Sequence, residues 1–156
     1  MSTFLTSAPL IIRSGLGNVD TSELIPLGTR VVDNEGNVYI YLKGVALTAI
    51  GSWVAYDEDF QTSLLTETVA AKLYPVALAT VASVASTYAW YMIAGKEYQG
   101  LVKASCSKEA LLYATTTAGS LDDAGTTTIH GVVATTTVTD AGLTDVILNY
   151  PFPSAA

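Results

Sequence analysis

The chain has 156 residues, of which 50% are hydrophobic and only 13% are charged, and its mean hydropathy is +0.41. Fourteen acidic against seven basic residues give a net charge of −7, which disfavours nucleic acid as a partner because phosphate backbones attract basic surfaces. The length fits one domain, and the hydrophobic content disfavours intrinsic disorder. With so few charges, the chain is expected to hide part of its surface against protein partners.

The first 28 residues differ in composition from the rest. They hold two prolines, three glycines and nine large apolar side chains, and each such side chain stabilises a contact by about 1.5–3 kcal/mol when buried. We predict an N-terminal arm over residues 1–28 and a β-rich domain over residues 29–156. Two placements stay open: the arm lies on a neighbouring subunit, or it packs as an edge strand on its own domain. The predicted contact residues of the arm are Phe4, Leu5, Leu10, Ile11 and Ile12.

No targeting or membrane segment is expected. The N-terminus lacks the basic region that precedes the apolar part of a secretory signal, so we expect synthesis in the cytoplasm without export. An uncharged run of 23 residues lies between Lys72 and Lys96, and its length alone would allow a membrane span. Interruption by Pro75 and by several Ser and Thr residues argues against one.

The clearest local prediction is a β-hairpin near the start of the domain. Residues 29–32 and 38–42 are rich in β-branched and aromatic side chains, and they flank the loop 33–37. Gly36 and the Asn residues of this loop tolerate positive φ, which a tight hairpin requires.

Short strands with turn-rich spacers continue along the chain. The further strand candidates are residues 46–50, 52–56, 76–85, 87–94, 101–106, 110–115, 128–137 and 145–150. The predicted turns are 57–59, 95–100, 118–125 and 140–142. Residues 62–73 fit either a short helix or an irregular loop. This spacing predicts an all-β fold, a compact sandwich or barrel in which a jelly-roll arrangement is possible.

One strand candidate is apolar on both faces. Tyr88, Trp90 and Met92 alternate with Ala89, Tyr91 and Ile93, and alternate residues of a strand point to opposite sides. We therefore expect the domain core to cover one face and something else to cover the other. Tyr88 and Trp90 are assigned to the core or to a subunit interface, where Tyr, Trp and Met are enriched.

The chain offers little for catalysis or metal binding. His130 is the only histidine and Cys106 the only cysteine, so we interpret them as a locally hydrogen-bonded strand residue and a structural thiol. The acidic clusters at 57–59 and 122–123, and Asp33 with Glu35, fall where turns are expected and lack calcium-loop spacing. We predict no catalytic residue, no metal site and no cofactor.

Several phrases of the sequence are similar to small head proteins that tailed bacteriophages encode near the major capsid protein. They are LGTRVVD at 27–33 with GNVYIY at 36–41, YAW at 88–90, LYATTTAGSLDD at 112–123 before GVV at 131–133, and VILNYP at 146–151. Together they extend over most of the chain, and residues 1–26 are the least similar part. They specify a fold rather than a reaction.

The resemblance implies a decoration, or cement, protein on the outer surface of an icosahedral capsid. Its partners would be the major capsid protein and further copies of itself, as a homodimer or homotrimer, and it implies no catalytic residues. An outer position would separate an acidic protein from the packaged DNA. The alternative is a receptor-binding or tail-fibre module that recognises a host glycan or protein. An enzyme such as a polysaccharide hydrolase comes third, because it would need a pocket where two acids converge.

Overall fold

A computed structural model describes residues 15–155, apart from the side chain of Glu97. Strands account for 46% of the described residues and helix for 3%, which confirms the predicted all-β class. The strands are β1 (Val19–Asp20), β2 (Arg30–Val32), β3 (Val38–Lys43), β4 (Trp53–Tyr56), β5 (Thr62–Leu64), β6 (Val76–Ala79), β7 (Tyr88–Val102), β8 (Leu112–Ala114), β9 (Leu121–Asp122), β10 (Thr128–Ala134) and β11 (Gly142–Ser154). One short helix, α1 (Glu67–Ala70), is capped by the Thr66 hydroxyl.

Five of these strands close into a barrel. The second half of β7 pairs with β11, and the pairing continues antiparallel through β10, β8 and β9. β9 in turn pairs in parallel with β7, through Leu121 and Val102, and this pairing closes the barrel. Closure removes the free strand edges that otherwise invite aggregation.

The first half of β7 leaves the barrel and organises the remaining strands. It pairs with β3, β6 and β1, while β2 flanks β3 and β4 connects β6 to β5. Trp90 and Met92 belong to one buried cluster, and Tyr91 with its neighbours Ala89 and Ile93 belongs to a second. The prediction of a strand buried on both faces is confirmed, but both faces are covered by this chain itself.

Two hairpins use the same turn. In the β2–β3 turn, Oδ1 of Asp33 accepts hydrogen bonds from the backbone N–H groups two and four residues later, both at 2.9 Å. In the β4–β5 turn, Oδ1 of Asp57 accepts from the equivalent groups at 3.0 Å. The fourth residue of each turn has positive φ, 88° at Gly36 and 58° at Phe60. The first hairpin confirms the prediction, and the second shows that an Asp side chain can hold this turn without glycine.

Asp33 gives the first hairpin a testable pH dependence. Desolvation raises the pKa of its carboxyl, but hydrogen bonds from Asn37, Glu35 and Tyr39 outweigh desolvation and hold it below the ordinary value of 3.8. A lowered pKa in the folded state stabilises the fold above pH 3.8, and this contribution is lost as pH falls through the folded-state pKa.

We expect Asp33→Asn to lower the free energy of unfolding at pH 7 by about 1–2 kcal/mol, because an amide nitrogen cannot accept the bonds that Oδ2 accepts from Asn37 and Tyr39. The difference from wild type should shrink below pH 3.8, as measured by urea unfolding at pH 7 and pH 3. Glu58→Gln, an exposed acid of the equivalent turn, is the control. An equal deficit at both pH values would contradict this role.

The predicted turn at 95–100 is wrong, because these residues continue β7. Gly95 lies at φ 132°, beside irregularities in the pairing of β7 with β3 and β11. The Asn37 side chain occupies the space that a Cβ of Gly95 would need, and its Oδ1 accepts the N–H of Lys96 at 3.0 Å. Bulges of this kind bend a strand without ending it. The glycine-containing segment 95–100 therefore lies near the bend of β7, between the half that belongs to the barrel and the half that pairs with the remaining strands.

Other predicted elements differ in extent. Residues 46–50 form a loop rather than a strand, the strand predicted over 76–85 ends at Ala79, and 101–106 contributes only its first two residues to β7. Residues 62–73 contain both β5 and α1. No helix in the described range is long and apolar enough to cross a membrane.

The predicted arm is only partly described. Over residues 15–28, Ile25 is buried, Leu16 and Leu27 pack against the core, and β1 pairs with the start of β7. Within residues 15–28, therefore, Leu16, Ile25, Leu27 and β1 lie against the chain's own domain. The predicted contact residues Phe4, Leu5, Leu10, Ile11 and Ile12 lie outside the described residues.

Candidate interaction surfaces

The titratable side chains singled out in the sequence serve local structure. Nε2 of His130 lies 2.8 Å from Oγ of Ser154, as expected for a locally bonded strand histidine. Cys106 is buried, and burial, followed by the charges of Asp123 and Asp122, raises the pKa of its thiol. A raised pKa disfavours the nucleophilic thiolate, in agreement with a structural role.

The acidic clusters likewise hold turns. Besides Asp33 and Asp57, Asp123 accepts the backbone N–H of Ser107 at 2.8 Å, and this bond lowers the pKa of its carboxyl. Asp122 accepts the N–H of Asp123 at 2.8 Å. Among residues 15–155, no three His, Cys, Asp or Glu side chains are grouped so that they could hold a metal ion.

The first exposed apolar surface lies on the outside of the barrel. We call it the barrel face; its apolar and aromatic members are His130, Val133, Leu143, Ile147, Tyr150 and Phe152, and the exposed polar residues Asp145 and Asn149 lie between them along β11. It arises from the alternation of β11, in which Val146 and Leu148 point inward while Ile147 between them is 47% exposed. Closure of a barrel buries only the side chains that point inward. The outward apolar residues of the barrel face therefore stay exposed, as at surfaces that bind a partner.

Cross-strand pairs give the barrel face a fixed shape. Val133 is in register with Ile147, and His130 with Phe152. The His130 and Phe152 rings stack with centroids 5.2 Å apart. The register shifts between these two pairs because β11 bulges around Tyr150, whose φ is 49°, opposite Gly131, whose φ is 76°. Facing side chains of this kind stabilise a ladder by about 0.2–1 kcal/mol a pair, so the surface is organised before any partner arrives.

The second exposed surface is formed by two loops before the start of β7. We call it the loop tip; it comprises residues 45–50 and 80–86, with Leu47, Ile50 and Val84 exposed. Neither loop contains a charged residue. Leu47 is 87% exposed and has φ 65°, a conformation that costs an L-residue about 1–2 kcal/mol. The fold thus tolerates strain that presents an apolar side chain to solvent.

Hydrogen bonds hold the loop tip in place. Thr48 and Ser83 form an antiparallel bridge, with the N–H of Ser83 donating to the Thr48 carbonyl at 2.9 Å. The Ser83 hydroxyl lies 3.0 Å from the Tyr91 hydroxyl in the core, and the Thr48 hydroxyl donates to the Val45 carbonyl at 2.8 Å. Ser83 therefore links both loops to the core strand β7, through its contact with Tyr91 and its bridge to Thr48. The loop tip is an ordered protrusion.

Of the predicted contact residues that are described, neither lies on these surfaces. Trp90 was assigned to the core or to a subunit interface, and the structure places its fully buried side chain in the core. Tyr88 is half-buried and stacks on Tyr41, with ring centroids 6.3 Å apart. Sequence reasoning missed both surfaces, although one signal was present: Val133 and Ile147 are large apolar residues between inward-facing neighbours in their own strands.

Comparison with known proteins adds no identification: no protein-family model and no curated protein matches this chain.

Proposed function

We propose that this chain is a structural virion protein, a decoration protein that docks on the outside of a tailed-phage capsid and stabilises contacts between major capsid subunits. The observation that carries the proposal is the barrel face, a preformed apolar surface on a closed β-barrel of an acidic chain. The choice of the major capsid protein as the partner rests on the similarity of several sequence segments to small head proteins of tailed phages. The localisation that follows is the outer surface of the virion, after synthesis in the host cytoplasm.

The N-terminal segment, residues 1–14, would widen the contact. Phe4 and Leu5 precede Gly15 by 11 and 10 positions, and an extended chain spans at most about 3.3–3.6 Å per residue, so this pair can act up to roughly 40 Å away. That reach suffices to cross a junction between neighbouring subunits. Contacts between copies of the chain itself, as a dimer or trimer, belong to the same proposal.

The mechanism is selective binding. A protein that binds an assembled shell but not its free subunits stabilises the shell by mass action, in proportion to the logarithm of its free concentration over Kd. Catalysis has no part in this mechanism.

The test is sedimentation of the purified chain with assembled shells and, separately, with dispersed capsid subunits from the phage whose genome encodes it. We expect the chain to sediment with shells and to raise the temperature at which they open, and we expect no binding to dispersed subunits. Absence from the shell pellet, or equal binding to both forms, would contradict the proposal.

A receptor-binding or tail-fibre module remains the second candidate, and one observation favours it. Tyr150 and Phe152 are exposed aromatic residues of β11, and Phe152 stacks on His130; exposed rings flanked by polar groups suit binding of the apolar face of a sugar. Retention of the chain on immobilised host-surface glycans, lost in Phe152→Ala, would favour this candidate over shell binding.

A further inference from the structure

One carboxylate lies among the apolar side chains of the barrel face. Asp145 is an exposed residue of β11, and its neighbours on the same side of this strand are Leu143 and Ile147. Across the sheet it stands between Gln99 of β7, with which it is in register, and Thr135, whose N–H donates to its carbonyl at 2.9 Å. A partner that covers Leu143 and Ile147 therefore also covers Asp145.

The carboxylate of Asp145 is held in place, but its charge is not neutralised by the described part of the chain. Nε2 of Gln99 donates to Oδ1 of Asp145 at 2.9 Å, which orients the side chain at the surface. No Lys or Arg among residues 15–155 forms an ion pair with Asp145; the ion pair in that range joins Lys108 and Glu109. Asp145 is therefore the point of the barrel face at which a partner can add a charge-assisted hydrogen bond.

Apolar side chains extend beyond both neighbours of this carboxylate. At one end, Val133 of β10 lies in register with Ile147. At the other end, Leu143 packs against Gly51, where a Cβ would overlap its Cδ2, and Ile50, the residue before Gly51, is 55% exposed. The carboxylate thus lies along the length of the apolar surface rather than at one of its ends. Close contact with a partner would remove it from water together with its apolar neighbours.

We infer that the surface which covers the barrel face presents an Arg or Lys side chain to Asp145, with apolar side chains on both sides of that cation. A buried carboxylate without a cation disfavours the contact, whereas a charge-assisted hydrogen bond from a basic side chain offsets the lost hydration. This basic side chain belongs to the capsid subunit of the proposed function, on which the inference rests.

A second copy of the chain does not supply this cation face to face. The barrel face contains no Lys or Arg, and its histidine, His130, is bonded to Ser154 and stacked on Phe152. Two barrel faces in contact would bring the Asp145 carboxylates of both copies into one apolar interface, and like charges disfavour such a pairing. Charge complementarity therefore favours a different protein as the partner.

Shell sedimentation of wild type, Asp145→Asn and Glu58→Gln tests the inference. Asn has the size of Asp, and its carbonyl oxygen can keep the bond from Gln99, so the first variant removes the charge and leaves the shape. Glu58→Gln makes the same change in net charge at an exposed residue of the β4–β5 turn. We expect Kd for assembled shells to rise about thirtyfold or more in Asp145→Asn and to keep its wild-type value in Glu58→Gln. Between about 50 and 500 mM NaCl, the affinity of wild type should fall more steeply than that of Asp145→Asn.

Shell binding of Asp145→Asn at wild-type strength or tighter would overturn the inference and would indicate that the carboxylate only keeps the apolar surface soluble. In that result wild type still sediments with shells, so the proposed function would stand. Failure of wild type to sediment with shells would instead contradict the proposed function, and the inference would fall with it.

Discussion

Trp90→Ala is expected to lower the free energy of unfolding by about 3–5 kcal/mol, the range found when a large buried aromatic side chain is removed. The Trp90 ring is fully buried, and its centroid lies 5.1 Å from that of Tyr41. Because a domain of this size is stable by only about 5–15 kcal/mol in total, the variant should lose a large share of its stability. Urea unfolding followed by far-ultraviolet circular dichroism measures the loss.

Phe152→Ala is the matched control for this prediction, since it also removes an aromatic side chain but one that is 51% exposed. It should change stability far less, by about 0.5 kcal/mol, as exposed positions usually do. If the Trp90→Ala protein were as stable as wild type and only its self-association were reduced, the core role of Trp90 would be contradicted and a subunit interface would be indicated instead.

The second large effect is expected on binding. Ile147→Asp places a carboxylate at the centre of the barrel face, next to Val133 in register and two positions from Asp145. If a capsid subunit covers this face, the charge must be buried without a partner, at a cost of about 3 kcal/mol or more, which is about a hundredfold or more in Kd. The fold itself should be little affected because the side chain points to solvent.

Leu73→Asp provides the same chemical change outside the barrel strands, in the connection that follows α1, at a side chain that is 54% exposed. Both variants and wild type would be titrated against assembled shells in a sedimentation assay. We expect binding to be lost in Ile147→Asp and kept in Leu73→Asp. Shell binding of Ile147→Asp at wild-type strength would exclude the barrel face as the contact.

The fold class and the first hairpin could be predicted because their signals are local. Alternation of Trp90 and Met92 with Tyr91 shows a doubly buried strand, and the spacing of Asp33 and Gly36 shows a tight turn. What covers the second face of that strand could not be predicted, since it depends on the pairing of β6 with β7, in which Leu78 lies beside Met92. Such long-range pairing is not written in periodicity.

The glycines of 95–100 show a different limit. In sequence they indicate a turn, but in the structure Gly100 lies under the Trp53 ring, where a Cβ would overlap it, and Gly95 makes room for Asn37. Glycine permits close approach as well as reversal, and only the packed partner tells the two uses apart. For the same reason the barrel face and the loop tip emerged from the structure alone, because their apolar residues resemble core residues until the neighbours are known.

The proposal that the chain coats a capsid is tested most directly by its copy number in purified particles of the phage that, under this proposal, encodes it. Quantitative mass spectrometry against the major capsid protein gives this ratio, and a density map of the same particles shows the location. We expect many copies in a fixed ratio to the capsid subunit, with the barrel face of each copy against the outer shell. A handful of copies confined to the tail, or none in the particle, would contradict it.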